Sequence, residues 1–208
     1  MLKTQSLLFA YNSQTEFQFP DIALESGENL LILGESGIGK TTLLHLMAEL
    51  LSPQSGSVEL MGTELHKLSS KQLDRFRGQH IGLVFQSPHF IQALSVEENL
   101  ALVQHLSGNS RDNQRIQEVL ESLGIGHKLR KKPRQLSQGE QQRASIALAV
   151  INNPQLILAD EPTASLDDKN CKKVATLLKE QAAATGAHLV IITHDQRLKD
   201  EFQNTLTL

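Results

Sequence analysis

Eight consecutive residues constrain this chain more than any others: Gly34-Glu35-Ser36-Gly37-Ile38-Gly39-Lys40-Thr41, which match G-x-x-x-x-G-K-[ST] without a gap. A loop of this kind needs glycines so that the backbone can wrap around phosphate oxygens. It also needs a helix behind it, whose first N–H groups and dipole favour an anion. Both neighbours are legible. Asn29–Leu33 reads as a short buried strand, and a helix follows over about Lys40–Leu51. Lys40 is then placed on the β and γ phosphates of a nucleoside triphosphate, and the Thr41 hydroxyl on Mg²⁺. By itself the loop leaves kinases, GTPases and many ATPases open.

A second element narrows the chemistry. Leu156-Ile157-Leu158-Ala159 is an apolar run that ends in Asp160 and Glu161. A buried parallel strand delivers its last side chains to the carboxyl edge of a sheet, where a phosphate loop also lies. Asp160 is the candidate for the Mg²⁺ shell, through water, and Glu161 the candidate general base for the attacking water.

Apolar runs alternate with helical patterns, so the expected fold is α/β with a largely parallel sheet. The segment before about residue 28 is β-rich, with strands at Ser6–Tyr11 and Thr15–Phe19. Further strands are expected at Ser57–Met61, Ile81–Phe85, Gln155–Asp160 and His188–Thr193. Residues 87–134 read mostly as helix. Ser95 and Glu98 have the spacing of a capping box, and Asp112–Leu123 carries Ile116, Val119, Leu120 and Leu123 on one face. Helices are also expected near Gln138–Asn152 and over Asp167–Ala183.

Composition excludes several classes. A net charge of −3 gives no basic footprint for nucleic acid. The longest apolar run, Ile146–Ile151, is far short of the roughly 20 residues of a membrane span. The N-terminus lacks the pattern of a signal peptide. A single cysteine, Cys171, points to a reducing compartment and reads as a small packed residue rather than a ligand.

Further segments carry a resemblance. Leu136-Ser137-Gln138-Gly139-Glu140 resembles the LSGGQ signature of ATP-binding-cassette (ABC) proteins and precedes the acidic strand, as in that family. Gln86 follows Ile81–Phe85 where the family has its glutamine loop. Ser165-Leu166-Asp167 is similar to the D-loop, His194 stands at the switch-histidine position, and Tyr11 resembles the aromatic residue that stacks on adenine. The resemblance spans about residues 2–200, with all elements in the family's order. It implies a P-loop NTPase core with an antiparallel β subdomain at its N-terminus. A helical signature subdomain, about residues 87–134, would be inserted in a single nucleotide-binding domain covering 1–208.

The resemblance also implies a mechanism. ATP and Mg²⁺ would be held by Tyr11, Gly34, Glu35, Ser36, Gly37, Ile38, Gly39, Lys40, Thr41 and Thr42 of one subunit. Ser137, Gly139 and Asp167 of a second copy would close over the γ-phosphate. Gln86, Glu161 and His194 would act on that phosphate, with Thr41, Gln86 and Asp160 as the metal set. Ser137 and Glu140 have capping-box spacing as well, and the two readings are compatible. Gln138 stands where the family usually has glycine, Glu140 where glutamine is commonest, and Leu148 where many relatives have arginine. A glutamine at 138 is strained only if that position needs a positive φ.

The stretches His66–Gln86 and Asp160–Asp167 look like the ATPases of lipoprotein-release, macrolide-export and cell-division systems. Such a subunit works on the cytoplasmic face of the membrane beside an integral permease. Phe90, Ile91 and Leu94 then either dock a permease helix or pack the helical lobe. The alternative is a soluble cassette ATPase of DNA repair or ribosomes. It is disfavoured by the absence of a long coiled coil, zinc cysteines or a second cassette. Because the sequence stops soon after His194, no C-terminal regulatory domain is expected.

Overall fold

A computed structural model describes residues 1–12, 15–164 and 166–208, apart from the side chains of Asn12 and Lys169. The chain opens with β1 (Leu2–Asn12), β2 (Thr15–Gln18) and β3 (Ile22–Leu24), then crosses into a second sheet through β4 (Asn29–Leu33). Helix α1 (Lys40–Met47) returns it to the first sheet for β5 (Ser55–Leu60) and β6 (Thr63–Glu64). These five outer strands form an antiparallel sheet in the order β2-β1-β5-β6, with β3 paired to β1.

β1 starts four residues before the expected Ser6. Ser6 has φ 49°, and the pairing with β5 slips between Gln5 and Leu8. The slip reverses which alternate residues face inward: Leu2 and Thr4 are buried before it, Leu7 and Phe9 after it. A single period-2 pattern therefore cannot find the whole strand.

The second sheet is parallel. After α2 (Ser70–His80) comes β7 (Ile81–Val84), followed by three helices, α3 (Val96–Leu106), α4 (Asn113–Ser122) and α5 (Gln138–Val150). Then come β8 (Leu156–Asp160), α6 (Asp168–Thr185), β9 (His188–Thr193) and β10 (Asn204–Thr207). The order is β10-β4-β9-β8-β7. β8 and β9 are buried along their whole length, as parallel strands covered on both faces must be.

Alternate residues of these strands feed two cores. Leu31, Leu33, Ile157, Ala159, Leu189 and Ile191 face α3, α4, α5 and α6. Leu30, Ile32, Leu156, Leu158, Val190 and Ile192 face α1 and the antiparallel sheet. Val96, Leu100, Ile116, Val119 and Leu120 of α3 and α4 belong to the first of these clusters.

Helix boundaries follow local chemistry. Ser95 accepts from the Glu98 N–H and Glu98 accepts from the Ser95 N–H (2.7 Å), which starts α3 at its capping box. Asp112 caps α4 through the Arg115 N–H (2.9 Å). α1 is shorter than expected, ending at Met47 rather than Leu51. Glu49 turns to φ 50°, and the Leu50 N–H returns to the His45 carbonyl (2.8 Å). β7 meets α5 without intervening side chains: a Cβ on Gly82 would collide with the Ala149 carbonyl oxygen.

Candidate nucleotide site

The carboxyl ends of β4, β7, β8 and β9 lie along one edge of the parallel sheet. They deliver Gly34, Gln86, Asp160–Glu161 and His194 to it. The glycine loop leaves β4 and enters α1 through Gly37 (φ 86°) and Gly39 (φ 103°), the latter standing at the N-cap. No side chain caps this helix, which leaves its amino end open to an anion. Gly39 is required twice over. Its φ is in the left-handed region, and a Cβ would stand 2.7 Å from the Phe17 ring.

Lys40 is nearly buried and its ammonium donates to the Gly34 and Glu35 carbonyls, both at 2.8 Å. It also lies 3.8 Å from Glu161. The loop is thus already folded around the cation that would meet a phosphate. A cavity of about 770 Å³ opens over it, walled by Glu35, Ser36, Gly37, Gly39, Lys40, Thr41 and Thr42. Gln86, Glu161 and His194 close one end, Tyr11 and Phe17 the other. Gly34 and Ile38 belong to the loop but not to the cavity wall; a Cβ on Gly34 would face Ile38 and Leu208.

Asp160 is buried and accepts the Thr41 hydroxyl at 3.0 Å through Oδ2. Its Oδ1 is buried with no hydrogen-bond partner. Burial pushes the Asp160 carboxyl up, against the lowering effect of the Thr41 hydroxyl. An orphaned carboxylate oxygen beside a threonine hydroxyl is the donor set of a hard divalent cation, so these residues fit Mg²⁺.

Glu161 has φ 47°, a conformation that costs a non-glycine residue roughly 1–2 kcal/mol. It is held there from three sides. Its N–H donates to the Ile192 carbonyl (2.9 Å), Thr193 Oγ1 donates to Oε2 (2.7 Å), and the His194 N–H donates to Oε1 (3.1 Å). His194 Nδ1 lies 2.9 Å from the same Oε1. Glu161 and His194 therefore form one acid–imidazole pair at the mouth of the phosphate loop. No motif marks Thr193 in the sequence; its position at the end of an apolar strand, just before His194, is its signal.

Tyr11 is 58% exposed and its hydroxyl lies 3.1 Å from Thr42 Oγ1. It stands edge-on to Phe9 and Phe17 in a row of aromatic rings that Phe19 extends. Phe17 also went unnoticed in the sequence, where it looks like any strand residue.

The signature segment is elsewhere. Ser137 caps α5: its hydroxyl accepts the Glu140 N–H (3.3 Å), and Glu140 accepts the Ser137 N–H (2.8 Å). Glu140 also pairs with Lys128 at 3.2 Å. The Ser137 N–H and Lys128 hold the Glu140 carboxyl below its ordinary range. Gly139 and Asp167 wall a separate cavity of about 610 Å³ between α5 and α6, which no phosphate-loop residue reaches. Ser165 of the expected D-loop lies outside the described residues. Gln86 also lines a smaller cavity with Gln138 and Glu161, between the two regions.

Comparison with known proteins shows the family of the chain. A family model described as "ABC transporter" matches residues 18–164. The lipoprotein-releasing system ATP-binding protein LolD of Shewanella frigidimarina is 40% identical over 190 residues, 90% of this chain and 80% of that protein. LolD of Shewanella denitrificans is 43% identical over 180 residues, 86% and 77% of the two chains. A dimeric post-hydrolysis structure of the ATP-binding cassette MJ0796, bound to ADP and Pi, superposes with a TM-score of 0.88. It is 31% identical and is matched over 100% of this chain and 94% of its own. The chain belongs to the ABC transporter family.

As an ABC transporter ATPase it binds and hydrolyses ATP, and its departures from the family pattern can be placed. Gln138 is the first residue of α5 and does not have a positive φ, so no glycine is needed there. Glu140 gains Lys128 as a partner. Leu148 lines a small cavity with Phe85, His89 and Val103. Phe90 packs against the core of α3–α5, whereas Ile91 is half exposed. Cys171 is buried and donates to Asp195 (3.4 Å), as a packed residue does. Among the described residues, no helix is long and apolar enough to cross a membrane.

Proposed function

We propose that this chain is the ATPase of a lipoprotein-releasing type of ABC transporter, acting as a head-to-tail dimer around two ATP molecules. The observation that carries this reading is the division of the candidate residues. Most of the phosphate loop, Glu161, Gln86 and His194 share one cavity, with Asp160 bonded to Thr41 of its wall, while Gly139 and Asp167 open on another. A single copy thus holds two half-sites. A second copy, turned head to tail, brings Ser137, Gly139 and Asp167 to the first copy's phosphate loop. The dimeric MJ0796 cassette with ADP and Pi is in keeping with this arrangement.

Within the site each residue has one task. Tyr11 takes the base, with Phe17 beside it. The 34–42 loop binds the phosphates through backbone N–H groups, with Lys40 leaving its carbonyl partners for the β and γ oxygens. Thr41 and Asp160 hold Mg²⁺, joined by Gln86; when bound, the ion supplies positive charge to the phosphate oxygens. Glu161 accepts a proton from the attacking water, and His194 contacts the γ-phosphate while keeping Glu161 in place. The helical stretch of about residues 87–134 is a lobe within one nucleotide-binding domain. Together with Gln86 it communicates with a permease on the cytoplasmic face of the membrane. LolD relatives at about 40% identity support the lipoprotein-releasing assignment.

The test is Glu161→Gln. Its ATP turnover is expected to fall about 100-fold or more while Mg-ATP traps a dimer on gel filtration. Normal turnover would remove Glu161 as the base. The same variant, affinity-purified from its own cell membranes in mild detergent with Mg-ATP, is expected to bring down a multi-span permease with a large extracytoplasmic domain. A permease without that domain would retain transport but discard the lipoprotein-releasing type. Recovery with ribosomes or DNA-repair proteins would overturn transport itself.

A further inference from the structure

We propose that Arg197 is a positioning residue of the hydrolytic site, clamping the segment after His194 to the loop that follows Glu161. The inference rests on the reading of Glu161 and His194 as the hydrolytic pair.

Arg197 lies in the short 3-10 turn Gln196–Glu201. Its guanidinium meets Asp195 with two parallel bonds, Nε to Oδ1 at 2.8 Å and Nη2 to Oδ2 at 2.7 Å. Nη2 also donates to the Leu166 carbonyl (3.2 Å), and Nη1 to the Asp168 carboxylate. One planar group therefore bridges the residue after His194 and both sides of Asp167. Asp195 is itself a hub. Its Oδ2 accepts the Thr163 hydroxyl at 3.2 Å and the Cys171 thiol at 3.4 Å. Thr163 is fully buried two residues beyond Glu161, and Cys171 is fully buried in α6.

The network continues into the site. The Asp195 N–H donates to Thr193 Oγ1 (3.0 Å), and that hydroxyl donates to Glu161 Oε2 (2.7 Å). A chain of hydrogen bonds runs from Arg197 through Asp195 and Thr193 to the carboxylate of the base. Glu161 depends on such support, because its backbone is in the left-handed region. Arg197 holds the Asp195 carboxyl well below the usual carboxylate range. Without it, a carboxylate with only 10% of its side chain exposed would keep a hydroxyl, a thiol and a main-chain N–H as donors. Lysine cannot replace this clamp. It has a point charge, whereas the geometry uses the fork of a guanidinium on acceptors of three residues at once.

Arg197 does not line the phosphate-loop cavity, so its removal should leave ATP binding by that copy's own phosphate loop in place and lower turnover. The experiment is steady-state ATP turnover of the full chain against ATP concentration, for wild type, Arg197→Met and Arg197→Lys. Arg197→Met is expected to lower kcat about 10-fold with KM changed less than about twofold, and Arg197→Lys to recover little of the loss. Unchanged kcat, a rise in KM alone, or full recovery by lysine would overturn the proposal. If wild type itself shows no turnover, the hydrolytic reading fails instead. Should Arg197→Met not fold, Asp168→Ala, which removes the acceptor of one arm of the guanidinium, decides: a lower kcat at unchanged KM sustains the clamp, and an unchanged kcat overturns it.

Discussion

Asp160 shows how a residue can work against the fold that carries it. Its carboxyl is raised by burial, so the fold favours the protonated form. The stability linked to this group is present at low pH and is lost as pH rises from the ordinary carboxylate value, 3.8, through the raised folded value. At neutral pH the ionised group, with one oxygen unpartnered, is a net cost. Asp160→Asn keeps an acceptor for Thr41 and removes the charge. The nucleotide-free variant is expected to melt about 2–4 °C higher than wild type at neutral pH, by circular dichroism, with ATP turnover lost. A lower melting point would mean that ionised Asp160 stabilises the empty fold. Glu161 makes the complementary case: its strained backbone is retained where Thr193, Ile192 and His194 all require it.

Among the elements, β9 links stability to acid. His188 opens it, buried, with Nδ1 unpartnered, and burial holds its imidazole below the ordinary value of 6.5. As pH falls below that value the unfolded chain takes up the proton first, so stability declines until the folded pKa is passed. The loss of melting temperature between about pH 7 and about pH 5 is therefore expected to be smaller in His188→Gln than in wild type. Equal slopes would clear His188.

The same strand shows what was legible beforehand. β4, β8 and β9 stood out because both of their faces are covered and their sequences are nearly all apolar. α3 stood out because Ser95 and Glu98 announce it. α2 was missed because none of its residues is fully buried, so no apolar period marks it, although Ser69 and Gln72 form a capping box. Site residues in the motifs were readable as strings. Contacts between distant segments were not, since nothing in the order of residues says that Thr193 reaches Glu161 or that Arg197 reaches Leu166.

At the scale of the whole molecule, the separation of Ser137 from the phosphate loop makes a prediction that one chain alone cannot satisfy. Ser137→Arg places a bulky cation at the amino end of α5, outside the cavity over Lys40. A titration is expected to find Mg-ATP binding by the single copy within about twofold of wild type, while turnover and the ATP-trapped dimer are both lost. Retained turnover would place the complete site in one copy.

The bare contact between Gly82 and Ala149 gives α5 a mechanical character. The helix has 13 residues and is about 20 Å long. Its first turn carries the signature, and its last rests directly on the main chain of β7 at Gly82, four residues before Gln86. No side chain lies between them to change rotamer and absorb a displacement. A push on the signature end from a second copy is therefore delivered, as through a strut, to the strand that carries Gln86. A pull on Gln86 returns to the signature by the same route.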